Sequence, residues 1–109
     1  MKKMQKTRLN DNLRKFAKEI SSDYPLDKMY LFGSRAKGKK VKKYSDVDLL
    51  LVSKAFKGKR RIKRSPQLYL KWNLEYPVDF ICLTPEEFHK QRKEVGIVQE
   101  AVNKGVEII

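Results

Sequence analysis

The sequence predicts a single α/β domain of the α+β kind, a small mixed β-sheet flanked by helices. Three observations predict it. The 109 residues, 40% of them hydrophobic, suffice for one modest core and no more. Apolar runs of strand length lie at 28–32, 46–53 and 78–83, the first broken by Gly33 and the last preceded by Pro77. Between and around them lie segments whose apolar residues recur at helical spacing.

The elements follow in order. Leu9, Leu13, Phe16, Ala17 and Ile20 mark an amphipathic helix over about 7–22. Tyr24-Pro25 stops it. Met29, Tyr30, Leu31 and Phe32 form a short strand that breaks at Gly33, and residues 34–45 read as a loop. The second strand, 46–53, is apolar except for Asp46 and Asp48. A basic stretch follows, then a helix from about 66 to 76, with Pro66 suited to its first turn. Pro77 starts the third strand, 78–83. Thr84-Pro85-Glu86-Glu87 supplies a cap, a proline at the first helical position and early acids, for a helix to about 95. A last helix over about 96–103 ends at Gly105, a suitable C-terminal cap. Residues 106–109 are expected to add an edge strand. No internal repeat or linker divides the chain, so 1–109 reads as one domain.

Composition narrows the function classes. No run approaches the roughly 18 apolar residues of a membrane-spanning helix. The basic start lacks a following apolar region, so no secretory signal is expected. The single cysteine, Cys82, excludes an internal disulfide and fits a reducing cytoplasm. It lies in an apolar run and reads as a small buried side chain. The 26 Lys and Arg against 13 acids, net +13, predict attraction to polyanions or an acidic protein. A Lys-rich surface kept for solubility has the same composition. Half of this positive charge lies within residues 35–64, at the two ends of the second strand, where it would form a phosphate-attracting rim.

Three features carry chemistry. Gly33-Ser34 ends a strand, where glycine permits close backbone approach and the Ser34 hydroxyl with following amides can hold a phosphate. Alone, such a pair is more often a plain turn. Asp46 and Asp48 are two apart on a strand and point to one face. Their mutual repulsion and desolvation in an apolar run are costly. A divalent cation removes both penalties, and hard oxygen ligands suit Mg²⁺ or Mn²⁺. Alone, this pair is more often solvated strand-end acids. Asp79 interrupts the third strand and in a small sheet can sit beside the other two, giving a two-metal carboxylate set. His89, among Lys90, Gln91 and Arg92, reads as a solvated surface residue. Tyr69, Trp72 and Tyr76, interleaved with Leu68 and Leu74, read as packing rather than base-stacking residues.

The segment Leu31-Phe32-Gly33-Ser34-Arg35-Ala36-Lys37-Gly38, with Ser45-Asp46-Val47-Asp48-Leu49-Leu50-Leu51-Val52 and the acid of Val78-Asp79-Phe80, resembles the defining motif of the DNA polymerase beta-like nucleotidyltransferase superfamily. The short length is similar to the minimal nucleotidyltransferases (MNT proteins) that act as antitoxins in HEPN/MNT toxin–antitoxin pairs. The loop before Asp46 is about a residue longer than the commonest spacing, which weakens Lys37 to Lys43 as named contacts more than the acids.

The resemblance implies the polymerase beta-like fold and a metal-dependent transfer of a nucleoside monophosphate, AMP from ATP, to an acceptor hydroxyl. Gly33, Ser34 and Arg35 would bind the triphosphate. Asp46, Asp48 and Asp79 would hold Mg²⁺ or Mn²⁺, with Asp79 helping to deprotonate the acceptor. A cognate HEPN-domain protein is the implied partner, with its tyrosine as acceptor. The alternative is a noncatalytic interaction module that neutralises a toxin or binds RNA through its basic face. Three converging carboxylates within a cationic surface would serve no such module.

Overall fold

The computed structural model describes residues 2–33 and 46–109. The expected loop 34–45, with Ser34, Arg35 and Lys37 to Lys43, lies outside the described residues. Four strands, β1 (Lys28–Phe32), β2 (Val47–Val52), β3 (Val78–Leu83) and β4 (Val106–Glu107), form one sheet in the order β3-β2-β1-β4. β1 pairs antiparallel with β2 and with β4, while β2 and β3 run parallel. A parallel pair requires a long crossover, and residues 53–77 supply it, carrying α2 (Arg61–Arg64) and α3 (Pro66–Lys71).

Strand β2 is apolar almost throughout because both its faces are covered. Val47, Leu49 and Leu51 join one core cluster with Leu9, Leu13, Phe16, Ala17 and Ile20 of α1 (Lys2–Ile20). Leu50 and Val52 join a second cluster with Phe88 of α4 (Pro85–Gln91) and Val98 and Ala101 of α5 (Ile97–Lys104). The sheet is thus the middle of three layers. Gly105 ends α5 where space is short: a Cβ there would lie 2.7 Å from the Leu31 carbonyl oxygen. Glycine therefore lets α5 close against β1.

Several boundaries differ from expectation, each for a local reason. Helix α1 begins at Lys2 rather than near 7, since the Lys- and Met-containing start has good helix propensity though it lacks the apolar stripe. Helix α3 stops at Lys71 rather than near 76, as Trp72 turns to extended backbone. The Trp72 indole N–H donates to the Tyr76 carbonyl at 2.7 Å and closes 72–76 as a turn. Helix α4 stops at Gln91, short of 95. Its start is a full capping box: the Glu87 N–H donates to Thr84 Oγ1 and the Thr84 N–H to Glu87 Oε1.

The basic run 54–64 conceals one inward cation. Arg64, expected on a solvated rim, is 5% exposed. Its guanidinium donates to the Lys59 and Cys82 carbonyls and to both oxygens of Glu87, at 2.6 and 3.3 Å. The planar fork of arginine suits this bidentate contact, and five donors allow two backbone contacts beside it. Arg64 therefore fastens α2 to β3 and to the first turn of α4. Cys82 is buried, as expected, and burial pushes its thiol up to about 12. No helix among the described residues is long and apolar enough to cross a membrane.

Candidate active site

The parallel register of β2 and β3 places Asp48 directly beside Asp79. Their side chains share the face that carries Leu50, Val52, Ile81 and Leu83, because residues two apart along each strand point the same way. Neighbouring strands lie about 4.8 Å apart, so two carboxylates at one level of adjacent strands are close. Asp46 precedes β2 by one residue and its side chain is exposed, as is that of Asp79; Asp48 between them is half-buried.

The electrostatics report the same proximity. Burial first, then the charges of Asp79 and Asp46, raise the Asp48 carboxyl above its ordinary value. Desolvation and like charge both disfavour the carboxylate. Asp48 thus feels the other two expected acids at once. Among the described residues, no three His, Cys, Asp or Glu side chains close to metal-ligand spacing. Like charges repel, and the Asp48 carboxyl is opposed by both of the others. Their chemistry fits a hard divalent cation: oxygen ligands only, with a central acid whose burial and repulsion a cation would offset.

Gly33 forms the other wall. β1 pairs with β2 so that Phe32 faces Asp48, and the chain then turns through Gly33 at φ +78°. A Cβ built on Gly33 would collide with the Asp48 carboxylate. Two constraints therefore select glycine, a left-handed backbone and contact with an acid. The first was legible as a strand-ending glycine; the second depends on the β1–β2 register. Ser34 and Arg35, the other expected phosphate contacts, lie outside the described residues.

A further contact was not expected from the sequence. The Tyr69 hydroxyl lies 3.5 Å from Asp79 Oδ1. The ring of Tyr69 packs as the sequence predicts, meeting Phe80 edge-to-face at 5.0 Å, while its hydroxyl does not. Trp72 packs against Phe16 and Phe80, as expected. His89 is exposed, with Lys93 Nζ 3.3 Å from its Nε2. A cavity of about 330 Å³ lies at the α4–α5 turn, lined by Lys90, Gln91 and residues 94–98. It includes none of the three acids.

A mixed sheet that brings carboxylates from two adjacent strands beside a glycine turn defines a class of site suited to phosphate-group transfer. Within that class the comparisons are specific. The family model for the nucleotidyltransferase domain matches residues 13–105, and the chain belongs to that family; it is a nucleotidyltransferase. It is similar to a solved structure from Sulfolobus solfataricus assigned as a nucleotidyltransferase, with TM-score 0.63 and 27% identity, over 82% of this chain and 78% of that one. No curated protein matches the chain significantly.

Proposed function

We propose that the protein transfers AMP from ATP to an acceptor hydroxyl, with Mg²⁺ or Mn²⁺ held by Asp46, Asp48 and Asp79, in the reducing cytoplasm. The observation that carries this reading is the pairing of Asp48 with Asp79 in the β2–β3 register, under the added charge of Asp46. A pair of acids kept side by side at the edge of an apolar layer costs stability, and cation binding is the function that uses it. The bound cation would supply charge neutralisation on the triphosphate and activation of the acceptor oxygen.

The chain's own residues would act as follows. Gly33, with no side chain, leaves the Asp48 carboxylate its place against the turn and would let a phosphate approach the turn's backbone. Ser34 and Arg35 follow it in sequence and would contact the triphosphate. Asp79, exposed on β3, can accept the proton of an incoming hydroxyl. The acceptor oxygen bonds to the α-phosphorus, the bridge to the β-phosphate breaks, and pyrophosphate leaves. The in-line geometry of this displacement needs positioning more than covalent chemistry from the protein.

The resemblance to MNT antitoxins points to a tyrosine of a HEPN-domain partner as the acceptor. The exposed cations Lys54, Lys57, Lys59, Arg60, Arg61 and Lys63 favour an anionic partner, whether an acidic protein face or RNA. Incubation with α-labelled ATP, Mg²⁺ and the product of the adjacent gene tests the reading. Label should pass to the partner in the parent and not in Asp48→Asn. Equal transfer by both would overturn the assignment of the acids.

A further inference from the structure

The Tyr69 hydroxyl lies beside Asp79, the acid assigned above to take an acceptor's proton. An acceptor hydroxyl has to lie within hydrogen-bond reach of the group that takes its proton, at distances often loose before substrate binds. The Tyr69 hydroxyl lies 3.5 Å from Asp79 Oδ1. The Phe80 backbone N–H donates to the same hydroxyl oxygen at 3.4 Å. With its oxygen receiving that donor, the hydroxyl's own proton is free to point at Asp79.

The fold explains the placement. β3 is an edge strand in the order β3-β2-β1-β4, and α3 precedes it in the crossover. Tyr69 packs its ring on Phe80, which belongs to the layer under α1. Asp79, one residue away, points to the opposite face with Ile81 and Leu83. The tyrosine thus reaches from one face of the sheet around its edge to an acid of the other face. At 43% exposure it is not sealed from solvent or ligand. Capping an edge N–H would by itself explain a contact to Phe80; it does not call for a hydroxyl turned to an acid of the site.

Building on the transferase reading above, we propose that Tyr69 is a nucleotidyl acceptor within its own chain. The Tyr69 oxygen bonds to the α-phosphorus of ATP, the α–β phosphoanhydride bond breaks, pyrophosphate leaves with the electron pair, and the phenolic proton passes to Asp79. The product is an AMP-tyrosine at the rim of the acid site, where its phosphodiester charge would face Asp79 and obstruct further acceptors. Self-modification would therefore lower transfer to any other hydroxyl.

The test uses the full chain with ATP and Mg²⁺, followed by intact mass and peptide mapping. The expected result is a single AMP adduct per chain on the peptide bearing Tyr69. Its initial rate per chain should not change as protein concentration is raised tenfold. Tyr69→Phe, which keeps the ring packing, should carry no adduct, and Asp79→Asn should slow its formation by about 100-fold or more. Absence of an adduct, an adduct that persists in Tyr69→Phe, or a per-chain rate that rises with protein concentration would each overturn the proposal. Calorimetric ATP binding in Mg²⁺ separates this failure from that of the transferase reading. ATP bound by the parent and lost in Asp48→Asn, with no adduct, removes only the self-acceptor role. No ATP binding by the parent removes both.

Discussion

Gly33 and Asp48 are in contact through the absence of a side chain: a Cβ on the glycine would take the place of the carboxylate. The first residue is also at φ +78°, where other L-residues are strained by about 1–3 kcal/mol. Gly33→Val should therefore both lower stability by about that amount and displace Asp48. Thermal denaturation and ATP titration at a temperature where the variant is folded check this. The affinity loss should exceed what the unfolded fraction explains. Unchanged affinity in the folded variant would show that Gly33 is only a turn.

Asp48→Asn separates function from stability. It removes a half-buried charge that Asp79 and Asp46 oppose, so the metal-free variant should melt at or above the parent's temperature. Transfer should fall by about 100-fold or more, since even indirect disturbance of a metal site costs 10–100-fold. Mg²⁺ should raise the parent's melting temperature by mass action and leave the variant's unchanged. A variant that melts lower and still responds to Mg²⁺ would show that the cation is held elsewhere.

The Arg64–Glu87 pair should set part of the acid stability. The Arg64 guanidinium, more than the capping contact from Thr84, holds the Glu87 carboxyl below its ordinary value of 4.5. A depressed acid contributes stability that is fully present above its unfolded value and is lost as pH falls through its folded one. Denaturation of the parent should therefore steepen below about pH 4.5. Glu87→Gln should lose about 1–3 kcal/mol at pH 7 and show a flatter acid limb. Parallel pH profiles of the two proteins would contradict this.

The exposed cations of the crossover should govern encounter rather than ATP affinity. Replacing Arg60, Arg61 and Lys63 with alanine should slow transfer to a macromolecular acceptor at low salt and weaken its salt dependence. ATP titrations should be nearly unchanged. Lys39, Lys40, Lys42 and Lys43 should behave likewise if the basic loop belongs to the same rim. Arg64 should not be included, because its guanidinium is buried against Glu87. Loss of ATP affinity with intact acceptor association would instead make these cations part of the nucleotide site.

Local sequence determined most elements. Apolar periodicity and prolines marked α1, α3 and α4, and β3 runs over 78–83 as expected. The side-chain alternation of a strand predicted Asp46 and Asp48 on one face, and in the structure β2 begins at Val47, one residue after Asp46. Helix ends were less legible, because α3 stops where Trp72 finds the Tyr76 carbonyl, a contact with no propensity signal.

The site itself divides along the same line. Its residue types and their strand positions are sequence properties, since each follows from neighbours a few residues away. Three relationships belong to the tertiary structure alone. Asp79 meets Asp48 only because β2 and β3 pair parallel in that register; a one-residue slip would turn it to the other face. Arg64 turns inward because Glu87 and the Cys82 carbonyl await it from elements some twenty residues away, while its basic neighbours remain in water. Tyr69 reaches Asp79 only because β3 is the edge of the sheet and its ring can pass around it. Periodicity assigns a side chain to a face, but what it meets there depends on strand order and register, which are set by how the whole core packs.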